Sequence, residues 1–505
     1  MRIRTSARPL LATLLVVLLG VATAQRSLTV AQGTAPETLD AQRSTVQQTL
    51  NVTYHINEPL FQLDYATNDI TPLLGASYEA VDETTWEVKL QGGVRFTNGE
   101  PFNAEVVRYS LLRVKKPELN SPATIYVRPI VDVQVVDDTT VRIITDGPAP
   151  VLPLYLTRIS MVPPAYIEEV GDDAFGQNPV GTGPYELVRW VKDDRVVLQA
   201  NTEYWRGAPS LDQITFVSIP ETATRMAALQ TGEADLVTQV AIDQAPLLER
   251  AGITIAPVPG LRLMMVAFSL DGEPGSTPLY DVRVRQALNY AVDKQAIVDD
   301  ILGGYGKVLA GQALSSEYFG FNPAVEAYPY DPERARELLA EAGYTADNPL
   351  SITIYGPQGR YVRDSEVVQA IAGQLREAGV EAEVEILEWG LFINRLLAKD
   401  FETAAFWGAS TVPDADAWIG AMLGTGAAYS VYSNPELDEL VAEGARTVDR
   451  DARLAIYHQA AELIHEQAPF IFLYQQVDVY GVSPRVEGWV PSPDESIYLW
   501  GVTVD

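Results

Sequence analysis

Near residue 262 the chain changes hydrophobic texture, and no low-complexity or Gly/Ser-rich linker marks the change. Before it lie short strands and turns. Leu28 to Ala31 is one strand, Trp86, Val88 and Leu90 alternate with Glu87 and Lys89, and Asn98-Gly99 marks a turn. Asn103 is placed to cap a helix through Val106, Val107, Ser110 and Leu111, and further strands are expected at Val133 to Val136, Val141 to Ile144, Val196 to Gln199 and Ile214 to Ile219. A helix over Thr222 to Gln230 stops at Gly232. After the change, Met264 to Phe268 is an apolar strand, and Val284, Ala287, Leu288 and Ala291 share one helical face. Asp293 caps a helix that Gly303 ends, and Asp331-Pro332-Glu333 opens another that Gly343 stops. Ser351 to Tyr355, the helix Asp364 to Ala378 and Val380 to Ile386 read as a right-handed βαβ unit. A helix with Leu454, Tyr457, Ala461 and Ile464 on one face leads to the strand Phe470 to Tyr474. The fold class is therefore mixed α/β, with an antiparallel-rich α+β half and an alternating half. Two such textures without a linker must pack directly, with two or three strands carrying the chain between them, and the junction is a natural cleft.

The N-terminus reads as an export signal. Arg2, Arg4 and Arg8 precede the apolar run Leu10 to Val21, and Ala22-Thr23-Ala24 offers small residues for cleavage after Ala24. The run is too short to span a bilayer. Its removal leaves 33 basic against 67 acidic residues, a formal charge of -34. That field repels phosphate backbones and excludes nucleic acid as a natural partner. Cysteine is absent, which rules out disulfides, thiolate metal sites, thiol nucleophiles and a lipobox anchor. A periplasmic monomer is expected.

Signatures of catalysis are weak. There is no Gly-x-Ser-x-Gly elbow, and only His55, His458 and His465 supply imidazole. His458 and His465 lie two helical turns apart, too far to share a metal, and read as helix-surface residues. His55 and Asn57 stand in a loop-like stretch, either as polar contacts to a ligand or as surface positions. Gly304-Tyr305-Gly306-Lys307 lacks phosphate-loop spacing and is a turn. Asp414 and Asp416 form an acid pair that fits either a solvated loop or glycoside chemistry. No cofactor or metal is expected.

Asn178-Pro179-Val180-Gly181-Thr182-Gly183-Pro184-Tyr185, followed by Asn201 and Tyr204-Trp205, resembles the hallmark of the family 5 extracellular solute-binding proteins of ABC importers. Gly93 to Phe96 with Phe102 and Ala104, Gly232-Glu233-Ala234-Asp235, and Asp281 to Leu288 with Asp293 match the same family in order. The resemblance implies a two-lobed periplasmic-binding-protein-like fold of the large cluster C type with an extra N-terminal subdomain. Its expected division is 25–50, 187–262 and 476–505 for lobe I, 51–186 for the subdomain, and 263–475 for lobe II. It further implies hinge rotation near Leu261 to Phe268 and Gln475 to Tyr480, a small-molecule solute, ABC permease transmembrane subunits as partners, and no catalysis.

Family members bind dipeptides, oligopeptides, glutathione, nickel chelates or oligosaccharides. In peptide-binding members a Trp followed three positions later by Asp holds the ligand ammonium; here Trp407 is followed by Ser410. The stretch Trp407-Gly408-Ala409-Ser410 to Asp414-Ala415-Asp416 resembles glutathione-binding relatives instead, with Asp414 or Asp416 shifted toward the ammonium. Arg360, beside Tyr361, matches the place of an arginine for the ligand carboxylate, where a guanidinium restores lost hydration with two parallel hydrogen bonds. A solvent-facing or structural ion pair is the competing role for Arg360. Trp389 and Trp407 are either walls over the ligand or core, and Gly181 to Gly183 are structural. The leading function is capture of a short peptide or glutathione-like solute; alternatives are an oligosaccharide or metal chelate, and, more remotely, an exported hydrolase.

Overall fold

The computed structural model describes residues 26–270, 275–427 and 429–505. The signal segment expected at 1–24 lies outside the described residues. Two strands organise everything else: Thr254–Phe268, of 15 residues, and Phe470–Val482, of 13. Fifteen extended residues span about 50 Å, enough to pass through two cores in succession. They pair antiparallel at the centre of an 11-stranded sheet. On one side the sheet continues through Leu236–Val237, Ser27–Gln32, Gln213–Ser218, Arg195–Ala200 and Tyr185–Val191. On the other it continues through Ala404–Ala409, Ser351–Gln358 and Glu381–Glu388.

The pairing of the long strands is interrupted between Pro259 and Leu263. Pro257 and Pro259 have no N–H to donate to the ladder there. The irregular backbone is satisfied outside the ladder, by side chains and a loop: Gln475 Nε2 donates to the Gly260 carbonyl at 2.7 Å, Tyr318 Oη to the Leu261 carbonyl at 2.8 Å, and the Leu261 N–H to the Pro493 carbonyl at 3.0 Å. Leu261 to Phe268 and Phe470 to Tyr474 belong to one buried cluster, built from residues 261 to 474. Separate clusters pack Leu28, Val30, Ile214, Phe216 and Tyr480, and Ala31, Leu229, Val237 and Val479, on the far side of the break. A further cluster, from Leu60 to Met161, fills the space between the helix Ala104–Val114 and a four-stranded antiparallel sheet of Gly75–Asp82, Thr85–Leu90, Thr140–Thr145 and Ile130–Asp137.

Local signals were accurate where they were strongest. Asn103 Oδ1 accepts from the Val106 N–H, Asp281 from Arg283 and Asp331 from Arg334, each opening its helix. Ser351–Gln358 and Glu381–Glu388 pair in parallel around the helix Asp364–Glu377. After Asp293 the chain departs from expectation, because Lys294–Ala296 runs into a π-helical turn over Ile297–Ile301. The strand Ala404–Ala409 and the helices Trp389–Ala398, Ala415–Met422 and Pro435–Gly444 lie where no element was expected.

The glycine motif is a packing device. The Gly183 N–H donates to the Ile56 carbonyl at 2.8 Å and the Tyr185 N–H to that of His55 at 3.0 Å. A Cβ on Gly181 would lie 1.8 Å from the Ile56 oxygen, and one on Gly183 would lie 2.4 Å from the His55 oxygen. Neither glycine has a positive φ, so close backbone approach, not turn conformation, excludes a side chain. Gly181→Ala is expected to lower unfolding stability by about 3 kcal/mol in chemical denaturation; an unchanged midpoint contradicts this packing role.

Candidate functional site

A cleft of about 740 Å³ opens beside the interrupted pairing. From the first half of the sheet and its connections come Thr45 to Gln48, Gln239 to Asp243, Gln476 to Val479, Asp494 and Glu495; from the other come Gly359 to Arg363 and Ser410. Arg262, at the break itself, lines it too, and also lines an adjoining recess of about 150 Å³ with Tyr54, Tyr126 and Arg158.

The loop carrying Arg360 is held by one carboxylate. Asp364, 4% exposed, accepts the backbone N–H groups of Gly359 at 3.1 Å, Arg360 at 2.7 Å, Tyr361 at 3.1 Å and Ser365 at 2.9 Å. Gly359, at φ +75°, turns the chain off the end of its strand. This leaves the Arg360 guanidinium over the ring of Trp389 at 5.1 Å and of Tyr361 at 5.3 Å. It has no ion-pair partner among the described residues. Desolvation and the neighbouring Arg262 lower its pKa. Arg262 itself makes only a loose pair with Glu495, at 3.7 Å.

Tyr361 lines the cleft with its ring, while its hydroxyl donates to the Gly408 carbonyl at 3.0 Å. Trp389 stands edge-on to Tyr361, at 6.2 Å, and stacks on Phe392, so it is a platform under Arg360. Ser410 is exposed in the cleft and hydrogen-bonds to no described residue. Trp407 is 4% exposed, in a strand with every residue buried, stacked on Tyr429 at 5.8 Å; its Nε1 has no partner. It is core, not cleft wall. Gly408 sits where a Cβ would come 2.2 Å from Met264 Sδ, so its role is strand packing.

Four further residues expected as ligand contacts lie away from this cleft. Asp414, 4% exposed, pairs with both ends of the Arg453 guanidinium at 2.7 and 2.6 Å, caps the helix Ala415–Met422, and does not line the cleft. Asp416 is also outside the cleft; burial and the Asp414 charge push its pKa up to about 6. His55 is 3% exposed, its Nδ1 lies 2.8 Å from the Asn51 carbonyl, and burial pushes its pKa down to about 4. It packs against Tyr185 and Phe216. Asn57 is fully buried and donates from Nδ2 to the Val180 carbonyl at 3.0 Å, holding the glycine motif. His458 and His465 lie half-exposed on the helix Arg450–Gln467 and reach the carbonyls of Phe321 and Gly311 at 3.1 and 3.0 Å.

Asp478, Glu495 and Arg262 are cleft residues that the motifs did not indicate. A signal existed for two of them: Arg262 and Asp478 are lone charges within otherwise apolar strand runs. Among the described residues no group of three or more His, Asp or Glu could hold a metal ion, and no helix is long and apolar enough to cross a membrane. Because Asp414 neutralises a buried guanidinium, Asp414→Asn is expected to cost about 3 to 5 kcal/mol of unfolding stability. Denaturant titration checks it; full stability with weakened solute binding contradicts the structural role.

The model of the bacterial extracellular solute-binding proteins, family 5 (middle), matches residues 69–430. The glutathione-binding protein GsiB of Pectobacterium atrosepticum is 31% identical over 443 residues, covering 84% of this chain and 83% of that protein. GsiB of Escherichia coli K12 is 30% identical over 506 residues, covering 95% and 96%. Among solved structures, the ABC transporter substrate-binding protein CtaP of Listeria monocytogenes superposes with a TM-score of 0.86 at 25% identity, covering 95% of this chain and 99% of that one. With its central sheet, its interrupted long strands and this extent of match, the chain belongs to the family 5 bacterial extracellular solute-binding proteins.

Proposed function

We propose that the protein is the extracytoplasmic substrate-binding component of an ABC importer, taking up a short peptide or glutathione-like solute between two lobes and delivering it unaltered to permease transmembrane subunits. Lobe I comprises 25–50, 187–262 and 476–505, with 51–186 as its subdomain, and lobe II comprises 263–475. The protein is exported by cleavage after Ala24 and acts as a monomer in the periplasm, without catalysis or a metal.

One observation carries the reading: an unpaired guanidinium, Arg360, fixed by Asp364 on an aromatic platform and facing a cleft formed from both halves of the sheet. A carboxylate enclosed there loses water and regains two charge-assisted hydrogen bonds. Ser410 adds an unengaged hydroxyl from the same lobe. The GsiB relatives, named for glutathione, support a solute with free carboxylates. Contacts from both lobes make the closed form the better binder, so solute shifts the population toward it.

Arg360→Ala is expected to weaken glutathione binding by about 3 kcal/mol, roughly a hundredfold, in isothermal calorimetry. Equal affinity in the two proteins removes Arg360 from the site, and no binding of glutathione or short peptides by the wild type removes this solute class.

A further inference from the structure

Most charges lining the cleft already have partners. The Arg225 guanidinium donates to the carbonyls of Ile219, Pro220, Thr238 and Gln239; Asp494 pairs with Arg158 at 3.0 Å; Arg363 lies 4.0 Å from Glu366. Among the described residues, the carbonyl-bound Arg225 apart, Arg360, Asp478 and the exposed Asp243 are the lining charges with no ion pair. Arg360 follows the end of a strand in the second half of the sheet, whereas Asp478 lies on the far side of the interrupted pairing, opposite Val258. The cleft thus presents an unpaired cation from one lobe and an unpaired anion from the other.

Asp478 is half-buried, and among the described residues its carboxylate accepts a hydrogen bond from Gln476 alone, whose Nε2 donates to Oδ1 at 3.0 Å. Its Oδ2 is crowded by the chain: a Cβ on Gly260 would lie 2.3 Å away, so glycine at the break makes room for this carboxylate. Glu495, from the C-terminal segment, is the second acid within its field, and Arg262, from the neighbouring strand, is the cation; Tyr480, two residues on, is buried and neutral. Arg262 is shared with Glu495 and so does not neutralise both acids.

We infer that Asp478 is the counter-ion for the ammonium of the bound solute, so that a zwitterion bridges the lobes with its carboxylate on Arg360 and its amine on Asp478. This assignment rests on the proposed function and deepens it. It puts the ammonium anchor on the hinge strand of lobe I, where Trp407 and Ser410 leave none in lobe II. Burial and the adjacent Glu495 push the Asp478 pKa up to about 7. An incoming ammonium favours the ionised form and expels the proton to solvent. The solute's N–H₃⁺ keeps its three protons, and the carboxyl O–H bond is the one that breaks.

The test is calorimetry of glutathione binding to the mature protein at pH 6 in two buffers of different ionisation enthalpy, repeated with N-acetylated glutathione. Net release of protons on glutathione binding is expected, because Asp478, with its pKa raised in the free protein, is ionised by the arriving ammonium. At least tenfold preference for the free amine is expected as well. Asp478→Asn is expected to release none and to bind glutathione at least tenfold more weakly. The wild-type proton count needs no variant, so a folding defect in Asp478→Asn does not hide the answer. Glutathione binding without proton release, with equal affinity in Asp478→Asn, overturns the assignment and leaves the proposed function standing. No binding of glutathione by the wild type overturns that function and this assignment with it.

Discussion

The interrupted pairing of Thr254–Phe268 with Phe470–Val482 is the constraint on which the rest of the molecule depends. Were the two strands paired without a break, one rigid sheet would join both cores and the cleft would have no reason to change shape. Were they separated by flexible linkers, lobe orientation would carry no information. The break between Pro259 and Leu263 avoids both extremes. Its freed backbone groups are taken up by Gln475, Tyr318 and the Pro493 carbonyl, so the chain is irregular there without being unsatisfied. The same stretch brings Arg262 to the cleft beside Asp478, with Gly260 making room for the Asp478 carboxylate, so the break and the cleft lining are one piece of chain.

Contacts elsewhere support a molecule able to close on its solute. Val151 and Leu154 of the N-terminal subdomain meet Val412, with Tyr126, Tyr155 and Ala417 around them, in a small apolar cluster separate from the main cores. A contact of that size is weak enough to open and close at modest cost. Buried ion pairs hold the parts that must not move. Arg113 bonds to Asp40 and Asp172 within the first half of the structure, and Arg453 to Asp414 within the second.

Much of the fold was legible in residue order. Helix caps at Asn103, Asp331 and Asp293 are local chemistry, and alternation in Thr85–Leu90 is local geometry, so each could be read without tertiary information. The strand Ala404–Ala409 escaped because it is buried on both faces and so has no alternation to see. At the site, Arg360, Tyr361 and Ser410, singled out by the family resemblance, line the cleft. Asp414, His55 and Asn57 do not, because their partners, Arg453, the Asn51 carbonyl and the Val180 carbonyl, are supplied by the folded chain and cannot be inferred from local spacing. Asp478 shows in the sequence only as a lone charge in its strand; that it lines the cleft without an ion pair among the described residues is visible only in the assembled fold.

The chain contains no cysteine, so a pair introduced at two exposed positions can be spin-labelled without background. Ile125 in the subdomain, 58% exposed, and Val448 in the second lobe, 40% exposed, lie on opposite sides of the closing contact. Pulsed electron spin resonance on the labelled Ile125→Cys, Val448→Cys protein measures the distance between them. The account predicts a distribution that shortens and narrows when glutathione saturates the cleft; an identical distribution with and without bound solute contradicts it.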